Sequence, residues 1–324
     1  MDNFFNLILI FLFCFVLVKA TDILLVNFKA LSQKTRWRQF ALTGLILGLA
    51  TSLPEFFVAL TSAFEGQAIL SLGNIIGANI ANLSLVVGGA ALIGGRVKAG
   101  GTFLRRDVFY AFLAATSPML LLSDKFLSRI DGAILLALYV FYQLAIFNEH
   151  SDTEEKKEEK QERLLRKLNS FSAQKVSKEI AWIFLGIALL LFSADMLVKL
   201  AVKFALAFNL PLLLVGLLLI SLGTTLPELV FEIEAIHKKQ PNMALGNLLG
   251  SIVANGTLII GLAALISPIR MQNLRSYLLS TMVFLIVFGL FYLFIRTKRC
   301  LSRWEGLLLL LVYLFFAIIE LRVF

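Results

Sequence analysis

Two carboxylates stand where an apolar sequence ought to hold none. Glu55 closes the run Thr51-Ser52-Leu53-Pro54-Glu55, and Glu228 closes Thr224-Thr225-Leu226-Pro227-Glu228, displaced by 173 positions. Each lies about two thirds of the way along a stretch long enough to cross a bilayer. A carboxylate at that depth costs roughly 2.5–3.5 kcal/mol on insertion scales unless it meets a polar cavity or a partner. No Lys or Arg falls within a turn of either residue, so protein ion pairing would need Lys19 or Lys199 to reach in. What does lie close is oxygen: the hydroxyls of Thr51, Ser52, Thr224 and Thr225. Prolines 54 and 227, placed inside a helix, would also release the carbonyls of Ala50 and Gly223. Hard oxygen donors in a set of about six to eight suit Ca2+, and fewer suit Na+.

A second block repeats at the same offset. Gly73-Asn74, Gly77 and Asn82 return as Gly246-Asn247, Gly250 and Asn255. The glycines form small-xxx-small pairs that let helices approach closely, and the four amides fall within about two turns of each other. The amides can supply neutral oxygens to an ion or bond across helices. As a matched set beside two glutamates they read as coordination or scaffolding of the site.

The elements that must position these groups are membrane helices. Hydrophobic residues make up 59% of the 324, charged residues 16%, and the mean hydropathy is +0.87. That places the chain far from soluble domains. Apolar runs of about 20 residues occur at 3–26, 38–63, 68–94, 107–123, 130–148, 180–200, 210–236, 242–266, 277–296 and 304–322. None alternates as a barrel strand would, so the expected fold class is an all-α integral membrane protein. The first run lacks a basic leader and reads as a retained helix. Cys14 and Cys300 offer neither a disulfide framework nor metal-ligand spacing.

Charge sorts by side. With ten spans, the loops on one face hold 22 Lys or Arg and those on the other hold 7. The positive-inside bias makes the richer face cytoplasmic and puts both termini outside, in a multi-pass protein of the plasma or inner membrane. The basic excess is therefore topological, and nothing supports nucleic acid as a partner. Residues 149–179, with Glu154-Glu155-Lys156-Lys157-Glu158-Glu159-Lys160, read as a charged cytoplasmic connector between two units, 1–148 and 180–324.

The duplication extends beyond the site. Asp22 matches Asp195, Gly88 matches Gly261, and Leu127-Ser128-Arg129-Ile130-Asp131-Gly132 matches Leu301-Ser302-Arg303-Trp304-Glu305-Gly306 with one residue inserted. Five spans per unit is odd, so the second copy must enter from the opposite face, giving inverted five-helix repeats whose mid-helix mates converge at one depth. Asp22 and Asp195 are expected to cap or snorkel near helix ends. Glu232 and Glu234, whose mates are Ala59 and Thr61, are read as a cytoplasmic vestibule or an ordinary interfacial pair.

These motifs closely resemble the two repeats of the calcium/cation antiporter superfamily, the group containing sodium/calcium exchangers, whose motifs read G-T-S-L-P-E and G-N-x-x-G-S-N. The resemblance spans both motif pairs, their spacing and the duplication. It implies ten helices with the second, third, seventh and eighth packed around the ions, and countertransport of Ca2+ against Na+. By position, Glu55 and Glu228 would be the central calcium carboxylates, with Thr51 and Thr224 adding main-chain oxygens. Ser52, Thr225 and Ser251, with carbonyls near Gly48 and Ser221, would hold sodium, and Asn82 and Asn255 would line the middle. The sequence departs at Ala50, at Ala78 in place of a serine, and at Asn255, where some relatives carry an acid. The large sensor insertion of animal exchangers is missing.

The resemblance implies no cofactor, only transported Ca2+ and Na+, with the bilayer as surroundings. A Ca2+/H+ exchanger on the same scaffold stays open, and so, more remotely, does a cation channel. An enzyme is not expected, since His150 and His237 lie outside the span centres and no nucleophile motif appears. Oligomeric state is open.

Overall fold

The computed structural model describes residues 2–35, 51–95, 97–98, 103–145, 177–271, 274–298 and 300–323. The helices are α1 (Asp2–Thr35), α2 (Leu53–Phe64), α3 (Ala68–Gly94), α4 (Phe103–Leu121), α5 (129–145), α6 (Ser177–Phe208), α7 (Leu212–His237), α8 (Pro241–Ile266), α9 (Leu274–Lys298) and α10 (Arg303–Val323). Among the described residues, seven helices are long and apolar enough to cross a membrane: α1, α3, α6, α7, α8, α9 and α10. The expected span 38–63 is described from Thr51 onward, and the connector expected at 149–179 lies outside the described residues as far as 176. Helix α1 continues nine residues past its expected end at 26, because Lys29, Ala30, Leu31 and Gln33 are good helix formers and a helix need not stop where its apolar run does.

Burial separates the inner helices from the lipid-facing ones. In their most apolar stretches α3, α7 and α8 are 83%, 67% and 72% buried, against 33% for α1, α6 and α9. Helices α1 and α6 pack along one another and share a core of their own, with Ile10, Leu17, Leu24, Leu190, Leu197 and Ala201, which rests on Val58, Leu70, Val215 and Ile220 of the inner helices. A second, larger core gathers buried apolar residues of α3, α4, α8, α9 and α10.

Close crossing of α3 and α7 is a glycine effect. A Cβ at Gly73 would stand 2.2 Å from the Leu213 carbonyl oxygen, and one at Gly77 would stand 2.1 Å from that of Leu217. Gly216 faces back onto Leu70 and Asn74 in the same crossing. The backbones therefore touch, and the asparagines of α3 reach the motif residues of α7.

Contacts between the two units are reciprocal. Gly88 lies against Gly306, and their mates Gly261 and Gly132 lie against each other. Four two-residue strands, which the apolar runs gave no reason to expect, repeat the relation: β1 (Val97–Lys98) pairs antiparallel with β4 (Cys300–Leu301), and β2 (Phe126–Leu127) pairs with β3 (Ile269–Arg270). Each pair joins a loop of one unit to a loop of the other. Local stops and starts are duplicated too. After α2, Glu65, Gly66 and Gln67 donate to Thr61, Ala63 and Ser62; after the helical end of α7, Lys238, Lys239 and Gln240 donate to Glu234, Ile236 and Ala235. Gly66 (φ +70°) and Lys239 (φ +57°) hold the same left-handed turn, which is free of steric cost only at the glycine. The Ser128–Asp131 and Ser302–Glu305 pairs are matching N-terminal boxes, in which one carboxylate oxygen accepts from both the serine amide and its hydroxyl at 2.7–2.8 Å.

Substituting Gly73→Ala should separate α3 from α7 and lower stability by about 1–3 kcal/mol. Gly289→Ala, at a site with nothing within 4 Å of the added carbon, should change it by less than about 0.5 kcal/mol. Thermal unfolding of the two variants in detergent checks the difference.

Candidate ion-binding site

The site forms where α2 and α7 restart after a break. Ser52 (φ −84°, ψ 9°) and Thr225 (φ −83°, ψ 0°) interrupt the helix, and Pro54 and Pro227 take the second position of the new helix. The prolines were expected in mid-helix; they stand instead in a first turn, where their missing amide has no intrahelical duty. Glu55 and Glu228 follow at once, in the first turn of α2 and of the second part of α7. A carboxylate there meets the positive end of the helix dipole.

Both glutamates are fully enclosed, and the donors close to their oxygens are weak and local: the amide of each residue itself and, for Glu55, the Thr224 hydroxyl. Glu55 lies within electrostatic reach of Glu228, with Thr224 beside Glu55. The lysines that might have compensated them are engaged elsewhere: Lys19 with Asp22 at 3.3 Å, and Lys199 with Asp195 at 2.8 Å and Glu65 at 3.9 Å. Among the described residues no three of His, Cys, Asp and Glu converge on a point where a metal could sit. Any ion here must draw on the paired glutamates and neutral oxygens.

Those neutral oxygens are present and oriented. Thr51 donates from Oγ1 to Asn247 Oδ1 at 3.1 Å, and its mate Thr224 donates to Asn74 Oδ1 at 3.2 Å. Each half thus anchors the motif threonine of the other. Thr51 also lies 3.1 Å from Ser251 Oγ. Thr225 donates its hydroxyl to the Ser221 carbonyl at 2.8 Å, which leaves the oxygen lone pairs available as acceptors. That Ser221 carbonyl already accepts the Thr225 amide and the Thr224 hydroxyl as well. Ser52 Oγ is buried with no partner.

Asn82 and Asn255 are both fully buried, and each sits at or next to the start of a π-helical turn, Asn82–Val86 and Ala254–Ile259. Such turns recur at functional sites because they leave main-chain carbonyls off the regular ladder. Asn255 donates from Nδ2 to Asn79 Oδ1 at 3.0 Å, so its own carbonyl oxygen stays unpartnered, and Asn82 has no partner at either atom. Of the expected site residues, Glu55, Glu228, Thr51, Thr224, Ser52, Thr225, Asn82, Asn255, Ser251 and Ser221 are thus all at most 1% exposed. Gly48 lies outside the described residues.

Two features were missed. Asn79 has no repeat mate, Ile252 standing in its place, and duplication was the signal that singled out the other amides. Glu232 was assigned to a vestibule or an interface; it is instead buried at 2% exposure and accepts a hydrogen bond from Asn247 Nδ2 at 3.4 Å. Proximity to the basic end at His237-Lys238-Lys239 suggests an outward position, whereas the helix turns Glu232 inward, one turn after Glu228. Glu234, two residues on, does face outward and pairs with Lys238.

Similar proteins are found by sequence and by structure. The profile of the sodium/calcium exchanger protein family matches residues 5–148 and 178–322, leaving out the charged stretch between the units. The inner membrane protein YrbG of Escherichia coli is 33% identical over 71% of this chain and 72% of its own length. The sodium/calcium exchanger MaX1 of Methanosarcina acetivorans is 26% identical over 97% of this chain and 98% of its own. A solved structure of the sodium-calcium exchanger NCX_Mj superposes with a TM-score of 0.59 at 25% identity, covering 96% of this chain and 97% of that one. With nearly all of both units matched, this chain belongs to the sodium/calcium exchanger protein family of multi-pass membrane antiporters.

Proposed function

We propose that the protein exchanges Ca2+ for Na+ across the membrane by alternating access at one site shared by Glu55 and Glu228. The observation that carries this reading is a pair of fully buried carboxylates that no basic side chain meets among the described residues. Two like charges so placed are unstable without a cation, and one Ca2+ or a set of Na+ ions neutralises them equally. Competition for the same oxygens is the coupling: either loaded form crosses, and the empty, doubly charged form does not.

In this proposal Glu55 and Glu228 bind Ca2+ with main-chain oxygens of Thr51 and Thr224. Ser52, Thr225 and Ser251, with carbonyls at Gly48 and Ser221, hold Na+, and Asn82 and Asn255 line the centre. The scaffold is ten spans in two inverted five-helix repeats, 1–148 and 180–324, joined by a cytoplasmic 149–179 connector, with both termini outside. Support comes from the reciprocal contacts between units and from the charge bias between loop faces. The separate core of α1 and α6 is consistent with that pair sliding as a body over α2, α3, α7 and α8. The family names of relatives support Na+ as the counterion, MaX1 and NCX_Mj both being sodium/calcium exchangers.

Three outcomes are expected in proteoliposomes loaded with Na+ and given radiolabelled Ca2+. Glu55→Gln and Glu228→Gln each abolish Na+-dependent uptake while the protein still elutes as a folded species; preserved exchange removes these residues from the site. Ser52→Ala raises the half-saturating Na+ concentration about tenfold, as loss of one ion-directed oxygen worth about 1.4 kcal/mol requires, with little change in the concentration of Ca2+ needed. A pH gradient imposed without Na+ drives no Ca2+ movement, and robust flux in that condition would identify a proton exchanger instead.

A further inference from the structure

Two departures from repetition fall on the same side of the site. Ser251 and Glu232 have Ala78 and Ala59 as their repeat mates, so the second half carries polar side chains where the first carries methyl groups. Both extra groups serve one residue. Ser251 Oγ lies 3.1 Å from Thr51 Oγ1, and Glu232 reaches Thr51 through Asn247: the carboxylate accepts from Asn247 Nδ2 at 3.4 Å, and Asn247 Oδ1 accepts from Thr51 Oγ1 at 3.1 Å. All four side chains are buried.

An amide presents an oxygen on one side and a nitrogen on the other, and its neighbours decide which way it turns. A carboxyl group in either protonation state keeps an acceptor oxygen, so Glu232 holds the nitrogen of Asn247 toward itself and the carbonyl toward Thr51. In the first half Asn74 has no such neighbour. Its carbonyl accepts from Thr224 at 3.2 Å, but its Nδ2 has no partner among the described residues, and alanine at position 59 offers no acceptor. Thr224 instead has a second bond within its own helix, to the Ser221 carbonyl at 3.3 Å. Thr51 immediately precedes the break at Ser52, where the regular helix ladder stops, so its side-chain bonds across to α8 fix its backbone.

We propose that Glu232 is a positioning residue: by setting the orientation of Asn247 it holds Thr51, and with it the main-chain oxygen that Thr51 offers to Ca2+. This rests on the exchange function proposed above and on the ligand role given there to Thr51. The brace acts on one half only, so the two motif threonines differ in how firmly they are held although they occupy equivalent places. It works through the acceptor oxygen of Glu232 and not through its charge, which distinguishes it from a further ion ligand.

The test compares Glu232→Gln with Glu232→Met in the full chain. Both keep the side-chain length; glutamine retains an acceptor oxygen without the charge, and methionine retains neither. In Na+-loaded proteoliposomes Glu232→Met should raise the half-saturating Ca2+ concentration about three- to tenfold, as loss of one hydrogen bond requires. Its maximal rate should stay within about twofold of wild type, and Glu232→Gln should stay near wild type in both respects. Thr51→Val, which removes the hydroxyl and keeps the main-chain oxygen, should weaken Ca2+ by itself and leave no further loss for Glu232→Met to cause. Equal losses in the glutamine and methionine variants, an undiminished loss from Glu232→Met in the Thr51→Val background, or wild-type behaviour of Glu232→Met each overturn the brace. Glu232→Ala, which copies the residue at position 59, takes the place of the methionine variant if that one elutes as an aggregate. Calorimetric Ca2+ binding to the same variants in detergent reads the brace without any counterion, so absence of Na+-coupled Ca2+ flux in wild-type vesicles would sink the exchange function alone.

Discussion

Two carboxylates enclosed without a basic partner among the described residues are the constraint around which this molecule is organised. Ordinarily a buried carboxylate is met by an arginine, a lysine or several amides, because the protein interior solvates a charge poorly. Among the described residues Glu55 and Glu228 have no basic partner, only their own amides and, for Glu55, the Thr224 hydroxyl, although each gains from the dipole of the helix it begins. The helix breaks at Ser52 and Thr225, the prolines that restart the chain and the touching backbones of α3 and α7 all hold this pair in place.

Neutral groups are arranged so that their acceptor ends stay available. Thr225 spends its proton on the Ser221 carbonyl, and Asn255 spends its amine on Asn79, so both leave an oxygen unpaired or open to a second contact. Ser84 and Thr257, repeat mates in the π-helical turns, likewise donate back to the carbonyls of Ile80 and Val253 four residues earlier. Back-bonding of this kind satisfies the donor locally and bends the helix slightly. Cross-half bonds from Thr51 to Asn247 and from Thr224 to Asn74 then tie the orientation of each half to the other. A shift in one unit is felt at the motif of its mate through these two bonds, with no intermediate chain of contacts needed.

Packing divides the molecule along a line that the repeats do not. The two repeated stretches interlock through Gly88 with Gly306, Gly132 with Gly261, and the two small sheets. The cores instead separate α1 and α6, one helix from each unit, from the rest. Cys14 of α1 lies so near Gly223 that a Cβ there would stand 2.2 Å from its sulfur. The outer pair thus runs directly over the motif of α7, so any displacement of that pair passes beside the site.

The duplication at 173 residues determined much of this on its own. Identical offsets fixed which glutamates, hydroxyls and amides are mates, and apolar length fixed that they lie in membrane-spanning sequence, because both depend only on order along the chain. Capping pairs such as Ser128 with Asp131 were equally local. What the tertiary structure alone decided was every relation that departs from repetition or crosses between units: the inward turn of Glu232, the bond from Asn255 to the unmatched Asn79, and the strands that join distant loops. Helical phase and long-range packing set these, and a linear pattern carries neither. A residue four places from an expected span end, as Glu232 is, reads as peripheral in sequence, yet one turn of an α-helix is enough to aim it at the centre of the protein.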